Sequence, residues 1–408
     1  MDEGVTMKHH RVLAAVAAAG VAALALAGCS SGGSTSPSGK QTLTIEDYYD
    51  AAHDPIYATC AKTVGVETKI QHVAGAGLIA KVLQQVSSRT LPDVLMLDNP
   101  DVQQIAASGA LTSLSDYGLD ATGDPASVTA AGTYKGKLVG LAPAINSIAL
   151  YYNTDLLKKA NVAPPKTWDE LRAAAKKLTV GKQYGFAMSN INTYEGSWQF
   201  LPFFWTNGGD EKNIDTPEAA QALQFVVDLQ NDGSMSKSSI NWAQADVNSQ
   251  FIARKAAMMI NGPWQLPALT AAKGLHFASV PIPTRDSSQV STSPLGGEAY
   301  TVPNTGNTTT QALAGKFVKC LNSPSVQTQT AKVTGNIPSN ESVADKWGAS
   351  HPDVQSFVTV VKTARARTGE LGPDWPKAAT KIYTAVQLAL TGKASPADAL
   401  KQAQSQSQ

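Results

Sequence analysis

The chain has 408 residues, more than one compact core uses, which fits two lobes of ordinary domain size enclosing a large interior. Its 33 Lys and Arg offset 32 Asp and Glu to a formal charge of +1, with no basic run or acidic tail of about five residues or more. That balance argues against nucleic acid or an acidic polymer as partner.

Met7-Lys8-His9-His10-Arg11 is a short basic region, and Val12 to Ala27 is an apolar run shorter than the about 20 residues that span a bilayer. Residues 1–28 are therefore expected to be a signal peptide; residues 1–6 add nothing to the pattern, so Met7 is an alternative start. Leu26-Ala27-Gly28-Cys29 resembles the lipobox of bacterial lipoproteins, which implies cleavage before Cys29 and a diacylglycerol on its sulfur. The alternative is an ordinary cleavage site with an incidental cysteine. Residues 29–41 then form a Ser/Gly/Pro tether, and the implied location is the outer face of the cytoplasmic membrane, held by lipid alone. Setting Cys29 aside leaves Cys60 and Cys320, an even pair in an exported, oxidising setting, and a disulfide between them is expected.

From Thr42 short β-type runs alternate with helical ones. Thr42 to Ile45 reads as a strand, Asp54 to Gly65 as a helix stopped by glycine, Val66 to Val73 as a strand and Leu78 to Ser88 as a helix. Pro92 to Leu97 reads as a buried strand and Val102 to Gly109 as a helix, which together imply an α/β layer with a largely parallel sheet. Gly75-Ala76-Gly77-Leu78-Ile79-Ala80 fits a dinucleotide-binding fingerprint, with Asp98 about 20 residues on. It is rejected because the strand before it is half polar and second in order; a glycine-loosened entry to a helix suffices. No cofactor, metal site or catalytic residue is expected.

Tyr134 to Gly140 reads as a hairpin turn, and two extended apolar runs then straddle Pro143, as where a chain leaves one lobe for another. Thr167-Trp168-Asp169-Glu170 is a capping box that starts a helix running to Leu178. Tyr194 to Trp205 holds Tyr194, Trp198, Phe200, Phe203, Phe204 and Trp205. This segment is apolar nearly all round, so most of it must be core, and Gly208-Gly209 stops it.

The runs YKGKLVGLAPAINSIALYYNTDLL, PPKTWDEL and FIARKAAMMINGPWQ, followed by SPSVQ, TGNIPSN and LTGKASPADALKQA, carry a likeness in order and spacing. Over about residues 42–405 the chain resembles the extracellular solute-binding proteins of carbohydrate ABC transporters, the group that includes maltose-binding protein. The resemblance implies an α/β, two-lobe, periplasmic-binding-protein-like fold of type II, with a hinge of crossing segments and a ligand cleft between the lobes. The expected lobes are 42–140 with 297–345, and 141–296 with 346–408. It also implies capture of a di- or oligosaccharide by hinge closure, delivery to a membrane permease, and a monomer.

A pyranose has an apolar C–H face and a rim of hydroxyls, so its cleft should combine indole planes with carboxylates and amides. Glu195 and Trp198, on one face of the first helical turn, sit where the related transporters hold a sugar. Asp98 and Asn99 leave the carboxyl end of a buried strand, with an Asx-Pro turn as the alternative; Tyr49 and Asp50 follow the first strand likewise. Asn146 lies in the first crossing run, where maltose-type relatives place a carboxylate, and Leu97 stands where some carry Trp; both departures point away from maltose itself. Trp264 after Gly262-Pro263 is the leading stacking candidate. Gly297 and Glu298 fall at the second crossing, Arg367 and Trp375 in a late loop; for Glu298 and Arg367 the alternative is an interlobe ion pair. A secreted glycosidase would use similar residue types, and the same fold could take a glycerophosphodiester or other polar solute, for which Arg367 is the one obvious cation. Nothing else in the sequence supports either.

Overall fold

The computed structural model describes residues 40–406, so the leader, Cys29 and the tether up to Gly39 lie outside it. Its strands run in chain order as β1 (Thr42–Asp47), β2 (Glu67–His72), β3 (Val94–Asp98), β4 (Thr133–Tyr134), β5 (Lys137–Leu138), β6 (Gly140–Leu141), β7 (Ala144–Asn146), β8 (Ala149–Asn153), β9 (Met258–Asn261), β10 (Phe277–Val280), β11 (Gly296–Thr301) and β12 (Ile337–Pro338). The early helices, Asp54–Val64, Gly75–Ser88 and Asn99–Ala107, match the pattern, the second and third each beginning three residues earlier than expected. The first ends because Gly65 takes a φ of 80°, which a residue without a Cβ adopts freely. Thr167 and Glu170 form the reciprocal capping box at the start of Trp168–Leu178.

The seven-stranded sheet is ordered β12-β7-β11-β3-β1-β2, with β6 also on β11. β1 pairs in parallel with β2 and β3, whereas β11 enters antiparallel to β3. β2 is thus an edge strand with mostly exposed side chains. The glycines after it open the helix Gly75–Ser88 from the sheet's rim, not from the central first strand of a dinucleotide fold. A second sheet, β10-β8-β9, is antiparallel throughout. The strands read from the first stretch, β1 to β3, pair in parallel as expected, whereas the antiparallel pairs all involve strands later in the chain.

Pro143 separates β6 from β7, both in the seven-stranded sheet, and the chain passes to the second sheet between Asn146 and Ala149. Just before the proline β6 lies against Tyr300 and Thr301, just after it β7 lies against Gly296 and Gly297, and β8 belongs to the second sheet. A later crossing runs beside these, where the Leu295 amide donates to the Arg365 carbonyl at 2.7 Å. Each sheet has its own core. Leu43, Ile45, Tyr57 and Phe317 gather on the first, and Trp168, Phe186, Phe203 and Phe204 near the second, each ring supplying on the order of 2–3 kcal/mol of burial. Cys60 and Cys320 are joined by a disulfide that ties Asp54–Val64 to the helix Thr308–Leu321 across 260 residues of sequence. Among the described residues no helix is long and apolar enough to cross a membrane.

Candidate functional site

The helix Tyr194–Thr206 is capped by Thr193, whose side chain accepts from the Glu195 amide. All residues from Gly196 to Trp205 are buried, as an all-round apolar helix requires. Trp198 sits at the junction of the sheets: a methyl on Gly296 would run into its indole and into Asn146 Oδ1. Glycine is needed at Gly297 too, where φ is 132° and a Cβ would meet the Ala144 carbonyl oxygen at 2.8 Å.

Arg367 joins the strand ends to this helix. Its guanidinium stacks on Trp198 with Cζ 4.4 Å from the ring centroid, while Nη2 donates to Asp98 Oδ1 at 2.7 Å and to Asn99 Oδ1 at 3.1 Å. Arg367 is 4% exposed and Asp98 27%, so the carboxylate is the partner that still meets solvent. Asn99 is the first residue of its helix and also donates from Nδ2 to the Leu295 carbonyl at 3.1 Å, so it fastens the crossing segment as well as holding Arg367. Of the ion pairs offered as alternatives for Arg367 and Glu298, that of Arg367 forms, with Asp98, whereas Glu298 meets no cation among the described residues. Glu298 lies directly across β11 from Asp98 and accepts hydrogen bonds from Tyr48 and Tyr49 at 2.8 and 2.7 Å.

Burial, and next the facing Asp98 charge, hold Glu298 above the usual carboxylate range against the pull of the two tyrosine hydroxyls. Asp101, one turn along from Asp98, is pushed from its ordinary 3.8 to about 8, first by burial and then by Asp98, with Arg367 opposing. Tyr194 is raised by burial and next by Asp101. Because folding raises the Asp101 value, its contribution to stability is complete below about pH 3.8 and declines as pH rises to about 8. His53, buried and lowered to about 4, acts in the opposite sense over part of that window. Urea midpoints of Asp101→Asn should therefore fall less than those of the unmodified chain between pH 5 and pH 8; parallel curves would show Asp101 ionised in both states.

The remaining sites divide. Glu195 Oε2 accepts from the Gln244 amide at 2.7 Å, at the start of the helix Gln244–Ile252, so one of its oxygens serves the scaffold. Asn146 is buried in β7 opposite Gly296. Trp264 is half-buried in the turn Pro263–Gln265, with its ring folded across Gly262, which no side chain there would allow. Asp50 is exposed and accepts from the Ala52 amide at 2.9 Å as the cap of a short turn, so one of its oxygens serves the local fold. Trp375 also departs from expectation: it opens the helix Trp375–Leu390 instead of lying in a loop, and is 1% exposed against Trp205. Sequence reasoning missed Tyr48, Asp101 and Tyr194. Asp101 follows Asp98 by three residues, a spacing that places both near one helix start.

A family described as bacterial extracellular solute-binding protein matches residues 56–357. The chain belongs to that family. This solute-binding protein is 26% identical to the maltooligosaccharide ABC transporter solute-binding lipoprotein of Streptococcus pneumoniae, over 73% of this chain and 72% of the relative. It is 25% identical to the galactooligosaccharide-binding protein of Bacillus subtilis, over 93% and 92% of the two chains. Among solved structures, the GacH receptor of Streptomyces glaucescens, studied unliganded and with acarbose, superposes with a TM-score of 0.77 at 25% identity, covering 90% of this chain and 97% of that one. The fold is the two-lobe fold of such proteins, and these relatives bind; none of the three is named as an enzyme.

Proposed function

We propose that the chain is the sugar-capturing component of an ABC importer, closing its lobes over a di- or oligosaccharide and presenting the closed form to a permease. The lobes are 42–140 with 297–345 and 141–296 with 346–408, and Cys29 carries the lipid that keeps the protein at the outer face of the membrane. The observation that carries this reading is the Asp98 carboxylate, oriented by the buried Arg367 at the strand end and still meeting solvent. A carboxylate held this way is a strong acceptor for a sugar hydroxyl, and the half-buried Trp264 offers the indole for a pyranose face. The relatives named for maltooligosaccharide and galactooligosaccharide support a saccharide and differ over which one.

Titration calorimetry against maltose, maltotriose, galactobiose and galactotriose tests the proposal. Saturable micromolar binding without new products supports it; catalytic cleavage, or no heat from any of them, counts against it. Asn146, Gly297, Glu298, Tyr49, Glu195 and Trp264 complete the proposed lining. Trp264→Ala should weaken binding well over tenfold, about 1.4 kcal/mol or more, with the melting temperature of the empty protein nearly unchanged. Lost stability with intact affinity would make Trp264 a packing residue.

A further inference from the structure

Asp47, at the end of β1, is 0% exposed, and donors surround its carboxylate: the Tyr49 amide reaches Oδ1 at 3.2 Å and the Tyr57 hydroxyl donates to Oδ2. Among the described residues one basic side chain stands at ion-pair distance from it, His72 at the end of the edge strand β2, with Nδ1 2.6 Å from Asp47 Oδ1. The other ring nitrogen, Nε2, lies 3.2 Å from Oδ1 of Asp54, the first residue of the helix Asp54–Val64. Asp47 and Asp54 flank residues 48–53, so one imidazole spans the loop that carries Tyr48 and Tyr49. Both tyrosine hydroxyls donate to Glu298, and the Tyr49 ring lies flat on His53 with centroids 4.0 Å apart. His53 Nε2 meets the Tyr300 hydroxyl at 3.3 Å, and that hydroxyl lies 2.8 Å from the Tyr57 hydroxyl, which returns the network to Asp47.

What the ring can hold depends on its protons. An imidazolium donates from both nitrogens and holds both carboxylates; a neutral ring carries one hydrogen, so one nitrogen turns a lone pair toward a carboxylate oxygen and that end is released. We propose that His72 is a positioning residue for ligand capture: protonated, it staples both ends of the loop and fixes Tyr48 and Tyr49 against Glu298, and affinity for sugar falls as rising pH frees one end. This rests on the saccharide reading above, in which Tyr49 and Glu298 line the cleft. The groups that face the ring are Asp47 from β1, Asp54 from the helix Asp54–Val64, and His53 from the short turn before it, which burial lowers to about 4 and so keeps neutral. Burial pulls His72 down too, but the hydrogen bond and charge of Asp47, with Asp54, outweigh it and keep the ring protonated above its ordinary 6.5. Because folding raises that value, the staple is complete below pH 6.5 and is lost as pH climbs through the folded midpoint.

Calorimetry on the oxidised protein with maltotriose and galactotriose, at pH 6 and at pH 9, provides the test. Between those two conditions the affinity of the unmodified chain should fall about fivefold further than that of His72→Gln. Asp101, raised to about 8, titrates in both proteins, so the readout is the difference between their profiles. By linkage, saturating sugar should raise the proton affinity of His72, followed by NMR of its ring, by the same factor. Identical profiles for the two proteins overturn the proposal, as does a His72 titration unmoved by sugar. If His72→Gln does not fold, Asp54→Asn, at a side chain 44% exposed, breaks one end alone and should flatten the profile in the same sense; a profile like that of the unmodified chain overturns the staple. If neither sugar binds the folded protein, the saccharide reading fails, and amide exchange judges the staple without ligand. Protection of residues 48–53 beyond that in the variant should then be greater at pH 6 than at pH 9, and equal protection overturns it.

Discussion

Replacing Cys60 and Cys320 together by alanine should lower unfolding free energy by about 4 kcal/mol, read as a shift of the urea midpoint against the oxidised parent. The bond closes a segment of 260 residues. Cross-links of that span remove a large share of the unfolded chain's freedom, while the folded helices lose one contact. The oxidised parent treated with reductant should reach the same midpoint as the double variant. A midpoint that does not move would mean that the unfolded chain stays collapsed around these helices without the link.

Arg367→Leu is expected to weaken saccharide binding at least 100-fold, with a red-shifted indole emission as the guanidinium leaves Trp198. Removing the cation leaves a partly buried carboxylate without the group that orients it, and the ligand contact is lost with that orientation. That carboxylate is Asp98, already facing Glu298. Arg367→Lys should recover only part of the loss: an ammonium keeps the charge but lacks the planar fork that reaches Asp98 and Asn99 while lying flat on an indole. Unchanged affinity in the leucine variant would make Arg367 a fastener with no bearing on the ligand.

Local rules carried the reading where one residue decides the backbone. Gly65 ending a helix, Thr167 and Glu170 beginning one, and the apolar helix of Tyr194–Thr206 were all legible. The strand ends were legible too, since Asp98 and Asn99 follow an apolar run. What could not be read was which polar group meets which. Arg367 finds Asp98 from 269 residues away, and Glu298 takes Tyr48 and Tyr49 instead, choices made by sheet register and invisible to spacing. Trp375 misled because prolines on both sides suggest a loop, although proline is at home in the first turn of a helix. The capping role of Asp50 was not read, because an acidic residue after a strand is as useful for closing a turn as for holding a ligand.

β11 sits inside the seven-stranded sheet, between β3 and β7, yet it is made of residues 296–301. Until that stretch has emerged from the export channel, β3 has a bare flank of unpaired amides and carbonyls along an apolar strand, the kind of edge that recruits other chains. The middle of the seven-stranded sheet therefore cannot close until after the three strands of the second sheet have been made. The nascent protein must be kept from its neighbours across nearly three quarters of its length, which favours translocation as an unstructured thread and disfavours any truncation that stops short of Thr301.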